Sequence, residues 1–552
     1  MQGKSTASLS AHTPLSRTGT ATGHALVTSP HELATRAGLD VLAQGGNAIE
    51  AAIAAGAALT VVCPHFCGLG GDAVWMIADG EGRHTSLLGI GQAARDLPRE
   101  TARIATRGPG SAFTTACLVD SWAAALEYSN RHWQGSKGFA SLIAPAHALA
   151  SEGFTVTASQ QHWLDFRAGE WQGWSGFPDL FDTRALRNKP DRFRQPALAK
   201  SFRLLAEEGP RGFYEGTLAH ALVKGFERTG IPLRAEDLAA TRATFAEPLR
   251  LGYYGYELLA PPAPTQGMTT LAIMGILERL GIHAAEKEGG DFYHLIVEAI
   301  KQAFLVRGAI ADPTHEQDAA LTQLLPVALD KATQAVDRTR ALPWGHSYQH
   351  GDTVFLAVTD AQGRSVSMLQ SIYFDWGSGV VVGDTGILWQ NRAAAFSPDP
   401  ASPNRPRPGS RPFYTLNPGI ALHDGRPQLL YGTQGADGQP QTLAPLLVRM
   451  LNHEMSPAEA LAAPRFLLGR TFSDGADTLK LERNVSKEVM ATLLERGHAV
   501  APIDALSPLC GQAGIVRLDG PETAMSLGAH DPRGEGVAQG LNANAQFPIF
   551  SS

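Results

Sequence analysis

The segment Gly351-Asp352-Thr353-Val354-Phe355-Leu356-Ala357-Val358-Thr359-Asp360-Ala361-Gln362-Gly363 sets a threonine at the head of an apolar, β-branched run with turn-forming residues on both sides. Val354 to Thr359 reads as a strand, and Asp360 to Gly363 as the turn that sends the chain back into a second strand, Ser365 to Tyr373. Taken alone, Thr353 is a residue type that commonly opens a strand. It is also where a chain would place a residue destined to become a new N-terminus. A free α-amino group titrates near ~7.7 to 8. A threonine released by backbone cleavage therefore carries a general base one carbon away from its hydroxyl nucleophile, and one residue supplies both halves of the chemistry.

Outward from this hairpin, the C-terminal side continues in short strands, with Val380 to Val382, Ile387 to Trp389 and Gln428 to Tyr431 as candidates. Ser397 to Pro412 carries six prolines and reads as an extended loop. Helices resume at Thr442 to Leu451 and at Ser456 to Glu459. On the N-terminal side His24 to Thr28 reads as a strand. A helix follows, with Ser29 as N-cap, Pro30 at the first helical position and Glu32 completing a capping box. Gly45-Gly46 ends that helix, and Asn47 with Glu50 caps an alanine-rich second one through Ala58. Near 292–306, Leu295, Val297, Ile300 and Phe304 repeat with helical spacing, and Glu298 and Lys301 are expected to face away. Helices flanking mainly antiparallel strands predict an α/β (α+β) layered sandwich.

The 552 residues, 44% hydrophobic and 18% charged, suit a globular enzyme with a substantial core. A net charge of -7 without a basic patch argues against nucleic acid as a partner. Four cysteines are too few for a disulfide framework. The chain shows no run of about 18 apolar residues and no secretory signal. No membrane partner is therefore expected, the protein reads as cytoplasmic, and the residues before Gly23 read as a loose tail. Cys63-x-His65-x-Cys67 lacks a second ligand cluster and reads as a loop with buried thiols. His346 and His350 fall in a predicted loop, and Gly68-Leu69-Gly70-Gly71 lacks dinucleotide-binding spacing. No metal and no cofactor is expected.

Three blocks carry a resemblance. The first runs from Ser29-Pro30-His31-Glu32 through Gly45-Gly46-Asn47 to Gly68-Leu69-Gly70-Gly71. The second runs from Gly351-Asp352-Thr353 through Gly377-Ser378-Gly379 to Gly383-Asp384-Thr385-Gly386. The third joins Arg411-Pro412-Phe413-Tyr414-Thr415 to Gly432-Thr433-Gln434-Gly435-Ala436-Asp437-Gly438. In this order, from about Gly23 to Phe550, they resemble the γ-glutamyltransferase family of self-processing N-terminal-nucleophile hydrolases. The resemblance implies a four-layer αββα sandwich. It also implies cleavage between Asp352 and Thr353 into a large subunit, 1–352, and a small one, 353–552, interleaved in one domain. A homo-oligomer of such processed heterodimers is compatible with it.

By the same resemblance Gly435 and Ala436 match the backbone amides that steady the oxyanion, although a plain strand-to-helix turn would also use such glycines. Ser371 matches a threonine whose hydroxyl contacts the nucleophile, and a solvent-facing strand serine is the other reading. Where relatives hold a γ-glutamyl head group, this chain departs. Ile90 stands at the position of the carboxylate-binding arginine, Arg392 and Ala395 at the ammonium-binding positions, Tyr373 at an asparagine, and Tyr414 and Thr415 at paired serines. A cation here repels a glutamyl ammonium and suits a small anionic acyl group; the other reading is a structural pair with Asp384. The expected function is a threonine amidohydrolase acting on a compact, oxamate-like acid amide. The alternatives are a γ-glutamyltransferase or glutathione hydrolase, a cephalosporin-type acylase, and an unprocessed binding protein.

Overall fold

The computed structural model of the chain describes residues 19–97, 104–181, 192–314, 319–344, 351–470, 475–519 and 525–542. Its strands in chain order are β1 (Gly19–Gly23), β2 (Ala25–Ser29), β3 (Asp72–Ala78), β4 (His84–Gly89), β5 (Thr244–Ala246), β6 (Leu249–Tyr253), β7 (Tyr256–Ala260), β8 (Val354–Thr359) and β9 (Ser365–Ser371). They continue as β10 (Gly419–His423), β11 (Arg426–Thr433), β12 (Phe466–Leu468), β13 (Leu479–Glu482), β14 (Val500–Ile503), β15 (Ala513–Leu518), β16 (Ser526–His530) and β17 (Val537–Leu541). One seven-stranded sheet has the order β17-β2-β8-β9-β3-β4-β5 and the other β1-β16-β15-β11-β10-β7-β6. Strands β12 to β14 form a small satellite sheet.

Alternation along β8 shows how the layers stack. Phe355 and Ala357 join Leu26, Val74 and Leu369 of their own sheet and Leu259, Ile420, Leu430 and Val516 of the other in one buried cluster. Val354, Leu356 and Val358 point the opposite way, into a cluster with the helices α1 (Glu32–Ala43), α2 (Ala48–Val62), α3 (Leu118–His132) and α4 (Phe139–Glu152). On the outer face of the second sheet lie α5 (Gly267–Leu280), α6 (Gly290–Phe304) and α7 (Gln439–Leu451). A strand buried on both faces has no polar side, which is why 354–358 is apolar without interruption. The result is the αββα stack. Among the described residues no helix is long and apolar enough to cross a membrane.

Helix α2 follows its sequence signals closely. The Asn47 side chain accepts from Ile49 and Glu50 N–H while the Glu50 side chain reaches back to the Asn47 N–H, and every residue of the helix is buried. Its alanines let it approach the sheet closely. Several other expectations are corrected. The first helix is capped by His31, whose side chain accepts from Leu33 N–H, because Ser29 Oγ is engaged with Thr35 Oγ1 at 2.7 Å. Glu298 and Lys301 do not face away; they are buried and paired at 2.7 Å. Val380 to Val382 and Ile387 to Trp389 are not ladder strands. They share a single bridge, Val381 to Leu388, and pack into the helical cluster instead. The N-terminal tail is shorter than expected, since Gly19 to Gly23 pairs with Ser526 to His530. His346 and His350 lie outside the described residues.

Candidate active site

Strand β8 begins at Val354, paired with Gln370, so Thr353 stands just beyond the paired end of the hairpin and is buried. The chain before it runs alongside the end of β9. Asp352 N–H donates to Tyr373 O at 2.6 Å, and Ser371 Oγ donates to Asp352 O at 2.6 Å while accepting from Tyr373 N–H at 2.7 Å. Ser371 thus grips the carbonyl of the Asp352-Thr353 bond, and the reading of a solvent-facing serine is set aside, since it is fully buried. Burial, with nearby Asp375 adding to it, raises the Asp352 carboxyl well above the usual carboxylate range. A Cβ added at Gly351 would lie 3.0 Å from Ala436 Cβ and 3.2 Å from Tyr373 Cδ2, so the same segment touches the turn at 435–438.

That turn follows β11. Gly435 has φ 117°, in the left-handed region that favours glycine, and Ala436 has φ 43° despite its Cβ. Ala436 to Gly438 form a short 3-10 turn that leads directly into α7. The Ala436 N–H sits at the open N-terminal end of this assembly, where donors have no intrahelical partner and the helix dipole favours negative charge.

Arg392 occupies a fully buried pocket between two tyrosines. Its guanidinium carbon lies 4.1 Å from the Tyr373 ring centroid and 4.2 Å from that of Tyr414. Nη1 donates to Thr415 Oγ1 at 3.3 Å, whereas Nε and Nη2 have no hydrogen-bond partner among the described residues. The alternative partner Asp384 is exposed and lies 3.9 Å from Arg228 instead. Tyr373 has φ 80°, a conformation costly for a bulky side chain that the surrounding packing must hold in place. Behind the pocket the Tyr414 hydroxyl donates to Asp72 Oδ2, and Asp72 Oδ1 accepts from Gly91 N–H at 3.0 Å and Cys117 N–H at 2.8 Å. Burial raises the Asp72 carboxyl, against the pull of the Tyr414 hydroxyl, the Cys117 N–H and Arg392. Ile90 and Ala395 are buried and apolar.

The fold therefore brings Thr353, Ser371, Tyr373, Arg392, Tyr414, Thr415, Gly435 and Ala436 into one connected region. Sequence reasoning missed Asp72 and Gln266. Asp72 directly follows the glycine block and pairs with Ser371 across the sheet. A Cβ at Gly71 would collide with Ser371 O, so the glycine is what lets Asp72 and β9 approach. Gln266 gave only a turn signal after three prolines.

Among the described residues one group could ligate a metal: His294, Glu298 and His498, with ligand atoms within 4.8 Å of one another. Lys301 Nζ already donates to Glu298 Oε1 at 2.7 Å, and His294 Nδ1 and His498 Nε2 bond each other at 2.8 Å. Glu298 and the two histidines are thus already engaged with Lys301 and with each other. Cys63 and Cys67 are free and buried, and burial pushes the Cys67 thiol up to about 12.

The family model of gamma-glutamyltranspeptidase matches residues 34–541. The oxamate amidohydrolase proenzyme of Klebsiella pneumoniae is 42% identical over 526 residues, covering 94% of this chain and 98% of that protein. The glutathione hydrolase-like YwrD proenzyme of Bacillus subtilis is 37% identical, with the same coverage of 94% and 98%. The crystal structure of cephalosporin acylase from Bacillus halodurans superposes with a TM-score of 0.86 at 28% identity, over 97% of this chain and 99% of that one.

Proposed function

The chain belongs to the gamma-glutamyltranspeptidase family as an N-terminal-nucleophile amidohydrolase made as a proenzyme, and we propose that its substrate is a small amide with a carboxylate next to the scissile carbonyl, oxamate being the simplest. One observation carries this reading: the Nε and Nη2 edge of the buried Arg392 guanidinium has no hydrogen-bond partner among the described residues. Asp72 acts on Arg392 electrostatically, but its oxygens are engaged by the Tyr414 hydroxyl and two main-chain N–H groups, and a buried cation with no hydrogen-bonded anion costs several kcal/mol. A carboxylate supplies the missing partner in two-point geometry. The apolar side chains of Ile90 and Ala395 offer nothing to an amino-acid head group. A cytoplasmic location belongs to the same reading, and the free thiols Cys63, Cys67, Cys117 and Cys510 suit a reducing compartment.

In the maturation step Thr353 Oγ1 attacks the Asp352 carbonyl carbon while Ser371 Oγ holds the carbonyl oxygen. The peptide C–N bond breaks as the C–O ester forms, and water hydrolyses the ester to leave subunits 1–352 and 353–552. The freed Thr353 amine then takes the proton of its own hydroxyl as that oxygen attacks the substrate amide. The Gly435 and Ala436 N–H groups donate to the developing oxyanion, each such donor contributing roughly 3 kcal/mol. The amine returns the proton to the leaving nitrogen, ammonia departs, and water resolves the ester to a dicarboxylate. Tyr373 and Tyr414 hold Arg392 in place and narrow the pocket to a short acyl group. N-terminal sequencing of the smaller fragment is expected to begin at Thr353, and purified enzyme is expected to release ammonia from oxamate faster than it cleaves a γ-glutamyl anilide. The opposite preference overturns the substrate reading.

A further inference from the structure

We infer that Gln266, backed by Arg307 and Asp437, is a positioning residue that holds the oxyanion turn in its working conformation. The inference rests on the role given above to Gly435 and Ala436. Ala436 adopts a left-handed backbone, which is unfavourable for a residue with a Cβ and persists only where its surroundings enforce it. The enforcing group is the Gln266 carboxamide, which is fully buried. Its Nε2 donates to Ala436 O at 2.7 Å and to Thr415 O at 2.6 Å, and its Oε1 accepts from Arg307 Nη2 at 3.2 Å. Two carbonyls on one end and a guanidinium on the other allow only one orientation of the amide. The main chain of Gln266 is fixed as well, its N–H donating to Tyr414 O at 2.9 Å.

Arg307 closes the brace. It donates to Asp437 Oδ1 on the residue after Ala436, and its guanidinium lies 4.5 Å from the Phe413 ring centroid and 5.2 Å from that of Phe304. Ala436 is thus held on its own carbonyl and through its neighbour's side chain. Because the same Nε2 also grips Thr415 O, the brace fixes the distance between the Arg392 pocket wall and the oxyanion donors. Self-cleavage does not need this link, since Ser371 grips the Asp352 carbonyl independently.

The test compares wild type with Gln266→Met, which keeps the volume and removes both donors. Three quantities are read: conversion of the precursor on a denaturing gel, ammonia release from oxamate, and acylation by 4-nitrophenyl acetate, an acyl donor that does not depend on the Arg392 pocket. The expected result is a loss in kcat and in acylation rate of about 10- to 100-fold, with KM for oxamate and the self-cleavage rate within about threefold of wild type. A lowered melting temperature with self-cleavage slowed as much as turnover marks a purely structural role and overturns the inference. Should Gln266→Met not accumulate as folded protein, Gln266→Glu, isosteric and still an acceptor for Arg307, is carried through the same measurements with the same expectation. Folded, cleaved variant with an acylation rate within about twofold of wild type also overturns the inference. An amide-to-ester exchange at Ala436, with lactic acid in place of alanine, removes the N–H while leaving the left-handed backbone accessible and tests the underlying reading separately: unchanged acylation there defeats the oxyanion assignment, whereas loss there with unchanged Gln266→Met defeats only the brace. If wild type accepts the ester but not oxamate, the substrate reading alone fails.

Discussion

Arg392 stacks between two rings, each worth about 0.5 to 2 kcal/mol of cation–π attraction, which lowers the cost of its burial without supplying a counter-anion. A small dicarboxylate should supply one. Oxalate, the product of oxamate hydrolysis, is expected to raise the melting temperature of the processed enzyme, the stabilisation reaching about 2.7 kcal/mol at a hundredfold excess over its Kd. Arg392→Gln should abolish the shift and raise KM for oxamate at least about tenfold, and a calorimetric titration that finds equal oxalate binding to both proteins would count against the assignment. At Thr353 the alcohol is the requirement. Thr353→Ala is expected to remain one full-length band with no turnover, while Thr353→Ser keeps a reduced share of both reactions, because serine lacks the methyl that restricts χ1.

Elements differ in how openly the sequence declares them. Helix α2 is legible because its capping box is local, three residues from donor to acceptor. Val380 to Val382 is not, because β-branched residues buried under helices carry the same signature as a strand, and only the fold decides which neighbour they meet. Gln266 is illegible for a related reason: its two acceptors are main-chain carbonyls 149 and 170 positions away, and carbonyls have no residue type. Buried histidines make the elements that carry them sensitive to acid. Burial lowers His530 on β16 to about 4, and its Nδ1 bonds Thr28 Oγ1 on β2 at 3.1 Å. The ring is neutral in the fold, so it costs nothing above the unfolded value near 6.5. As pH falls from there toward the folded value it costs about 1.4 kcal/mol per pH unit. Buried carboxyls with raised values, Asp352 and Glu298 among them, pull the total in the opposite direction over the same range. The diagnostic quantity is therefore the difference between wild type and His530→Gln. Thermal melts should show wild type losing stability relative to the variant as pH drops from about 6.5 to 4.5, and a difference independent of pH would contradict the neutral assignment.

At the scale of the whole molecule, cleavage at 352/353 would divide the chain without dividing the fold. In the sheet β17-β2-β8-β9-β3-β4-β5, strands β8, β9 and β17 follow the cut and the rest precede it; in the other, β10, β11, β15 and β16 follow it and β1, β6 and β7 precede it. Separating the pieces would break both ladders and the core between them. The two fragments are thus expected to co-elute on gel filtration in native buffer and to melt in one transition, appearing as separate bands at about two-thirds and one-third of 58.6 kDa only after denaturation. The pairing of β17 with β2 has a further use. It brings His24 N–H to 2.8 Å from Leu541 O, so the C-terminal end of the described chain lies at the far end of β1, the strand that opens it. From Asn542 back to Gly19 is roughly the length of β1, about 17 Å, which about eight glycine and serine residues would span. A gene rewritten to begin at Thr353, run to that linker and finish at Asp352 would start with its nucleophile already at the amino end once the initiator methionine is trimmed, and such a rethreaded protein should turn over substrate having never undergone scission.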